Sequence, residues 1–478
     1  MPTGARFVFD PFELDPARRR LTASGEPVAI SDRQLDILML LVARAGKIVA
    51  KGDLLEAGWK DVAVGDNSVE QAIGSLRRLL GPGHIETVSR RGYRFGRVVE
   101  QRASRESDAG LDALLAPHRA FIEGRAALES LEGDQISRAR CVFEGALASV
   151  PEHASAHIGL ANACVMQFEM TRADPVPDIA ALAVAVRHAR EACRLDPQSG
   201  EAWATLGFVL DRTRGRVDAL AAAKRAVALE PGNWRHHFRL ACAGWGEERL
   251  RAAQRTLALL PDFPLAHWLA ATVHVARQVL PEAERELTAA LASQGRQVKF
   301  HPVALHWLRG LILLERGDES RALEEFEEEL GAETRGHLYA RECCANTWYA
   351  VGALRLRQGR TADARTAFGL AIERVATHPL ARIGMAAASA DGSPVPAGET
   401  VSERPGDRPV SIEAAIIKGA QLVVAGAHAD AARVVDEAMA GADPGSAGWL
   451  LPIEPLLHVG AHAAVWVGPL ARLRNRAA

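Results

Sequence analysis

The sequence predicts a mainly α protein in which a small α+β module precedes a long array of stacked helical hairpins. Three observations predict it. The 478 residues are rich in alanine and leucine and only 5% aromatic, a helix-forming composition spread over more chain than one core holds. Strand-like alternation is confined to the first hundred residues. Beyond them, small residues recur at regular offsets, as they do where paired helices cross closely.

The opening reads as short strands. Phe7, Val8 and Phe9 alternate, Phe12–Leu14 follows Pro11, and Arg20–Thr22 and Pro27–Ile30 flank the turn signal Ser24-Gly25. Ser31-Asp32-Arg33-Gln34 is a capping box: the serine hydroxyl takes an amide of the first turn and the glutamine reaches back. The helix it starts carries Leu35, Leu38, Leu41 and Val42 on one face. A second helix is expected from about Lys51 to Gly58, closed by Trp59.

A third helix is expected from Asn67 to Leu80. Val69, Ile73, Leu76 and Leu80 follow at spacings of four, three and four and form its buried stripe. The opposite face holds Asn67, Gln71, Gly74, Ser75 and Arg78, with Glu70 and Arg77 beside it. Asparagine and glutamine pair with adenine edges and arginine with guanine or phosphate, so this face suits a major groove. After Gly81-Pro82-Gly83, Glu86–Phe95 reads as a two-stranded hairpin carrying Arg90, Arg91, Tyr93 and Arg94, with Gly92 at the turn. A solvated basic hairpin would look the same alone; two helices and a basic hairpin in this order point to DNA. The expected contact set is Asn67, Ser68, Gln71, Ser75, Arg77, Arg78, Arg90, Arg91, Tyr93 and Arg94.

Over residues 5–98, and most specifically in Ser31–Leu41, Val69–Leu80 and Glu86–Phe95, the chain resembles the OmpR/PhoB-type winged helix. The resemblance implies a four-stranded N-terminal sheet, three helices, a recognition helix at about Asn67–Leu80 and a wing tip near Arg90–Gly92. It also implies that double-stranded DNA is the partner, and that the Lys60–Gly65 loop stands where the family touches RNA polymerase. Many relatives carry basic residues where Gly74 and Ser75 stand here. The layout is similar to ToxR/CadC-like regulators, without their membrane span.

The rest of the chain shows repeats. Ala202, Trp203, Leu206, Gly207, Ala219, Ala226 and Pro231 resemble a tetratricopeptide unit, in which small residues sit at helix crossings and proline ends the hairpin. The frame recurs at Ala127, Ala139, Ala146 and Pro151, and at Ala161, Ala185, Ala192 and Pro197, the latter with an insertion around Asp174–Pro177. Looser copies keep Ala271, Ala283 and Ala290, then Gly310 and Ala322, then Gly352, Ala364 and Ala371, then Gly419, Ala431 and Ala438. About eight such repeats form an α-solenoid with an inner surface open to a protein or small-molecule ligand. Trp245, Trp268, Trp307 and Trp348 are expected mostly to pack between helices. The expected domains are 1–99, the winged helix; 100–116, a linker; 117–387, the array; 388–409, a loop; and 410–478, a last hairpin with capping helices.

Charge and motifs bound the function. Residues 1–100 carry 15 Lys+Arg and 13 Asp+Glu, and the remainder 42 and 46, so the front is mildly basic. The six cysteines include no C-x-x-C pair, which fits a reducing compartment. No signal peptide or membrane span is expected, and the location is read as cytoplasmic. Phosphate-loop, H-E-x-x-H and G-x-S-x-G motifs are absent, so no enzyme, cofactor or metal is expected. His458 with His462, His301 with His306, and Cys343-Cys344 read as ordinary positions, each pair lacking a further ligand. The acidic run Glu324–Glu329 reads as a solvated face. Two functions compete: a DNA-binding transcription regulator whose array senses a signal, and a protein-interaction scaffold whose winged helix no longer binds DNA specifically.

Overall fold

The computed structural model describes residues 5–16, 18–59, 66–89, 91–103, 122–128, 131–213, 215–294, 303–331, 333, 337–389 and 411–478. The chain forms two compact units. The first comprises residues 1–167, 180–243 and 258–260; the second, 168–179, 244–257 and 261–478.

The first unit begins with strands β1 (Ala5–Phe9), β2 (Phe12–Asp15), β3 (Arg20–Ala23) and β4 (Glu26–Pro27). Helices α1 (Asp32–Ala43), α2 (Lys51–Gly58) and α3 (Asp66–Leu80) follow, with β5 (Ile48–Val49) between the first two. Strands β6 (Ile85–Val88) and β7 (Gly92–Phe95) make the wing, and β8 is Glu100–Ala103. The four-stranded sheet implied by the family resemblance has a fifth strand, in the order β4-β3-β2-β1-β8. Glu100–Ala103, expected as the start of a linker, pairs antiparallel with Ala5–Val8. Its backbone supplies the pairing, and its charged side chains hide the strand from a reading of hydrophobic pattern. Residues 104–116 of the expected linker lie outside the described residues.

Local signals hold where the chemistry is local. Ser31 caps α1 through the amide of Gln34, and the Gln34 side chain returns to the Ser31 amide. Val69, Ile73 and Leu76 are buried at 0, 1 and 0% exposure, in one cluster with Phe9, Leu38, Leu41 and Phe95. Every buried residue of that cluster lies between Phe7 and Phe95, so the module owns its core. A second small sheet, β5-β7-β6, ties the wing to the body. Gly92 has φ +129°, and a Cβ there would come 2.1 Å from the Val49 carbonyl, so only glycine lets β7 approach β5 this closely.

The first unit continues with α4 (122–128) and α5 (Gly133–Ser149), then most of α6 (Ala154–Thr171), α7 (Ile179–Leu195), α8 (Gly200–Arg212), α9 (Arg216–Leu229) and α10 (Trp234–Ala243). The second holds most of α11 (Glu247–Leu259), then α12 (Pro264–Ala276), α13 (Leu280–Gln294), α14 (Leu305–Glu315), α15 (Glu319–Leu330), α16 (Ala340–Arg357), α17 (Thr361–Arg374) and α18 (Pro379–Ala387). It ends with α19 (Ile412–Val424), α20 (His428–Gly441) and α21 (Ala463–Arg476). Consecutive helices pair as hairpins: α8 with α9, α12 with α13, α14 with α15, α16 with α17, and α19 with α20. This is a tetratricopeptide-like helical array.

The repeated small residues sit at helix crossings. Ala202, Ala219 and Ala226 are fully buried, and a Cβ on Gly207 would lie 2.9 Å from the Ala219 carbonyl. Elsewhere a phenylalanine fills the space a glycine leaves. Phe143 faces Gly124 and Gly159, Phe326 faces Gly310, and Phe368 faces Gly352 and Gly384. Trp245 and Trp307 are buried as expected. The acidic run departs from its expected solvated face at Glu329. That carboxylate is 2% exposed and accepts the Ala304 and Trp307 amides at 2.7 and 3.1 Å, so it caps the start of α14. Of the loop expected at 388–409, residues 390–409 lie outside the described residues. Among the described residues, no helix is long and apolar enough to cross a membrane.

Candidate nucleic-acid interface

The candidate interface is the outward face of α3 and the adjoining wing. The buried stripe of α3 fixes its rotation, leaving Gln71 and Arg78 exposed and Ser68, Gly74 and Ser75 half-buried. Arg78 donates to Ser75 Oγ at 3.0 Å, which holds the guanidinium along the outer face. Arg77 and Arg78 occupy the last turn, where the helix dipole favours positive charge. On the wing, Arg91 and Arg94 are exposed. Arg94 donates from Nε to Glu86 at 3.0 Å across the hairpin; Arg91 carries no ion pair among the described residues. Asn67 lies in the first turn of α3, but its side chain is outside the described residues, as are Arg90 and the Lys60–Gly65 loop.

Two members of the expected contact set are engaged inside the module. Arg77 donates from Nε to the Ile85 carbonyl at 2.9 Å and from Nη2 to Thr87 Oγ1 at 2.7 Å, with its guanidinium 5.8 Å from the Tyr93 ring centroid. It ties α3 to the root of the wing. Tyr93 is only 5% exposed and belongs to the core. Helix periodicity puts Arg77 beside the contact face and residue type puts Tyr93 on the wing; the fold of β6 and β7 engages Arg77 at Ile85 and Thr87 and turns Tyr93 into the core. What remains outward is Gln71 and Arg78 on the helix and Arg91 and Arg94 on the wing.

The histidine pairs have separate local roles. His458 sits in a left-handed turn and His462 at the N-cap of α21. His306 Nδ1 lies 2.8 Å from Glu325, and His301 is outside the described residues.

Fold and site together define a winged-helix module joined to a helical-repeat array. Its first part is an OmpR/PhoB-type effector domain: residues 25–95 match the family model described as "Transcriptional regulatory protein, C terminal". The chain is similar to transcriptional regulator HilA of Salmonella typhi, 39% identical over 98 residues, which is 20% of this chain and 18% of that protein. It is also similar to the cholera toxin transcriptional activator of Vibrio cholerae, 32% identical over 123 residues, 23% of this chain and 42% of that one. The solved DNA-binding domain of E. coli CadC covers 21% of this chain and 99% of its own length, at 23% identity and a TM-score of 0.20. The match thus spans less than half the length of these curated relatives and concerns one module.

Proposed function

We propose that the chain is a DNA-binding transcription regulator, with α3 seated in the major groove and the wing on the flanking phosphates. One observation carries this reading. The module that matches transcription regulators presents Gln71 and Arg78 outward on α3, beside the exposed Arg91 and Arg94 of the wing. Gln71 suits an adenine edge, Arg78 a guanine or a phosphate, and the wing cations suit the backbone. Asn67 and Arg90 complete the proposed contact set with Ser68 and Ser75. The Lys60–Gly65 loop is proposed as the surface that meets RNA polymerase. Chromosomal DNA as the partner places the working protein in the cytoplasm.

The array, on this reading, receives the signal. A ligand or protein on its helices biases DNA binding only if it prefers one state of the regulator over the other. The experiment is selection of genomic fragments by the purified full chain at low salt, followed by titration of the enriched fragment at rising salt. Enrichment of a common sequence, with affinity falling steeply as salt rises, is the expected result. Recovery of random fragments, with no duplex binding at low salt, would favour the scaffold.

A further inference from the structure

The winged module does not stand free within the first unit. The start of α1 and one flank of α3 lie against the repeats. Arg33 Nη1 is 2.6 Å from Glu230 at the end of α9 and Nη2 is 3.7 Å from Glu201 of α8. Ser155 of α6 donates to Asp32 at 2.7 Å. These contacts border a cavity of about 210 Å³ whose lining includes Ser68, Gln71 and Ser75 from α3, and Asp196, Glu230 and Asn233 from the repeats. Gly232 comes close to α3: a Cβ on it would stand 3.5 Å from Ser68 Oγ. The seam is polar and incompletely filled, whereas the apolar core of the module is complete without it. Such a contact opens without unfolding either side.

Its position on α3 matters. Val69, Ile73 and Leu76 point inward, and Gln71 and Arg78 point out. Ser68, Ala72 and Ser75 form the stripe between, about a quarter-turn from the core at ~100° per residue. The major groove is about 12 Å wide, close to the diameter of a helix with its side chains. A seated helix therefore has a phosphate ridge on each flank. On the Ser68–Ser75 flank that space holds the loop Glu230–Asn233, backed by the carboxylates of Glu201, Glu230 and Asp196. Loop and phosphate ridge compete for one volume, and the carboxylates behind the loop would repel the ridge once Arg33 leaves them.

We infer that the loop closing the third repeat guards the recognition helix, that the Arg33–Glu230 pair latches it there, and that specific DNA binding requires the latch to open. The inference rests on the proposed function, since it takes α3 as the groove helix. Arg91 and Arg94 stay exposed in the latched form, so that form retains a weak, sequence-blind attraction for duplex.

The experiment traps the guard reversibly in the full chain. Ser68→Cys and Gly232→Cys are introduced together, with the exposed Cys141 replaced by serine. A Cβ at position 232 would lie 3.5 Å from Ser68 Oγ, about where a sulfur at position 68 would stand, so a small shift brings the two sulfurs within bonding reach. Oxidation should join the two positions, as read by peptide mass, and lower affinity for the selected fragment by roughly 5- to 150-fold. Sequence preference should vanish with it, and reduction should return both to the values of the same variant before oxidation. A companion variant, Glu201→Gln with Glu230→Gln, should bind the fragment more tightly than the parent. Undiminished binding and preference in the cross-linked protein would overturn the guard, as would failure of the disulfide to form. If the disulfide forms but neither the reduced nor the companion protein binds duplex, the functional reading falls and takes the guard with it. The mass readout keeps these failures distinct.

Discussion

The guanidinium of Arg33, in the first turn of the winged module's α1, lies 2.6 Å from the carboxylate of Glu230, which ends the third repeat hairpin. The same carboxylate accepts the Gly200 amide at 3.1 Å and the Asn233 side-chain amide at 3.1 Å. One acid therefore joins the start of α8, the loop after α9 and the DNA-facing module. Burial alone would raise its pKa, but Arg33 and the hydrogen bonds from His236 and Asn233 outweigh burial and hold it well below the usual carboxylate range.

The pH dependence follows from that direction. A carboxyl depressed in the folded state contributes stability above its unfolded pKa and loses it as pH falls through the folded value. The first unit should thus weaken progressively below pH of about 4.5, near the unfolded glutamate value. Glu230→Gln should cost roughly 1–3 kcal/mol at pH 7, since it strands Arg33 in a half-buried site. It should also flatten the acid limb. Urea unfolding of both proteins from pH 7 to pH 3 reads the two effects, and parallel acid limbs would contradict the assignment.

Glu454 should behave in the opposite sense. Its carboxyl is buried in the second unit, accepts the Tyr349 hydroxyl and the Leu456 amide, and is pushed up to about 7 by loss of solvent. A raised acid favours its neutral form when folded, so stability is highest at low pH and declines as pH rises from about 4.5 to about 7. Glu454→Gln keeps the acceptor oxygen and removes the charge. It should leave stability nearly unchanged at pH 4.5 and raise it at pH 8, as read by thermal melts at the two values. Loss of stability at pH 8 would show that the ionised form is the one the site prefers.

What the sequence reveals divides by the distance over which each interaction acts. The Ser31–Gln34 box, the Val69–Leu80 stripe and the alanine and glycine frame of the repeats involve neighbours within a helix or hairpin, and periodicity exposes them. Arg77 resembles a phosphate contact in sequence because helix periodicity reports only its angle on α3. Its partners, Ile85 and Thr87, are set by how the wing folds back. Glu329 reads as solvated for the same reason, although its partners lie 22 and 25 residues upstream. Strand β8 escapes a pattern reading because an edge strand of charged residues pairs through its backbone and shows no apolar alternation. The Arg33–Glu230 pair joins residues from different modules, and no local pattern carries it.

The glycines offer a paired test of crossing geometry. A Cβ on Gly352 would lie 2.6 Å from the Phe368 ring, which is fully buried and is also faced by Gly384. The ring has no room to retreat, so Gly352→Ala should destabilise the second unit by roughly 1–3 kcal/mol. A Cβ on Gly74, by contrast, meets nothing within 4 Å on the outer face of α3. Gly74→Ala should stabilise that helix by up to about 1 kcal/mol through helix propensity. Chemical denaturation of the two variants checks the signs. Equal effects would mean that the Phe368–Gly352 approach is looser than the geometry indicates.

The last prediction separates two arginines that the sequence places together. Arg77 is half-buried and bridges α3 to β6 through the Ile85 carbonyl and the Thr87 hydroxyl. Removing it leaves a carbonyl and a hydroxyl without their charged donor and detaches the wing root from the recognition helix. Arg77→Ala should therefore lower the stability of the module by roughly 1–3 kcal/mol. Arg77→Lys should recover little, because one ammonium cannot span both acceptors as the planar fork does. Arg91 is exposed and carries no ion pair among the described residues, so Arg91→Ala should leave stability within about 0.5 kcal/mol. Its effect belongs to DNA: affinity should fall for all duplexes alike, and the salt slope should shrink by about 0.9, the share of a single neutralised phosphate. Gln71→Ala should do the reverse, relaxing preference at one base position by about 1–3 kcal/mol while leaving the salt slope intact. Thermal melts, salt titrations and a base-substitution series on one fragment measure all three. If Arg91→Ala alters stability while Arg77→Ala changes only the salt slope, the roles assigned to the two arginines are reversed.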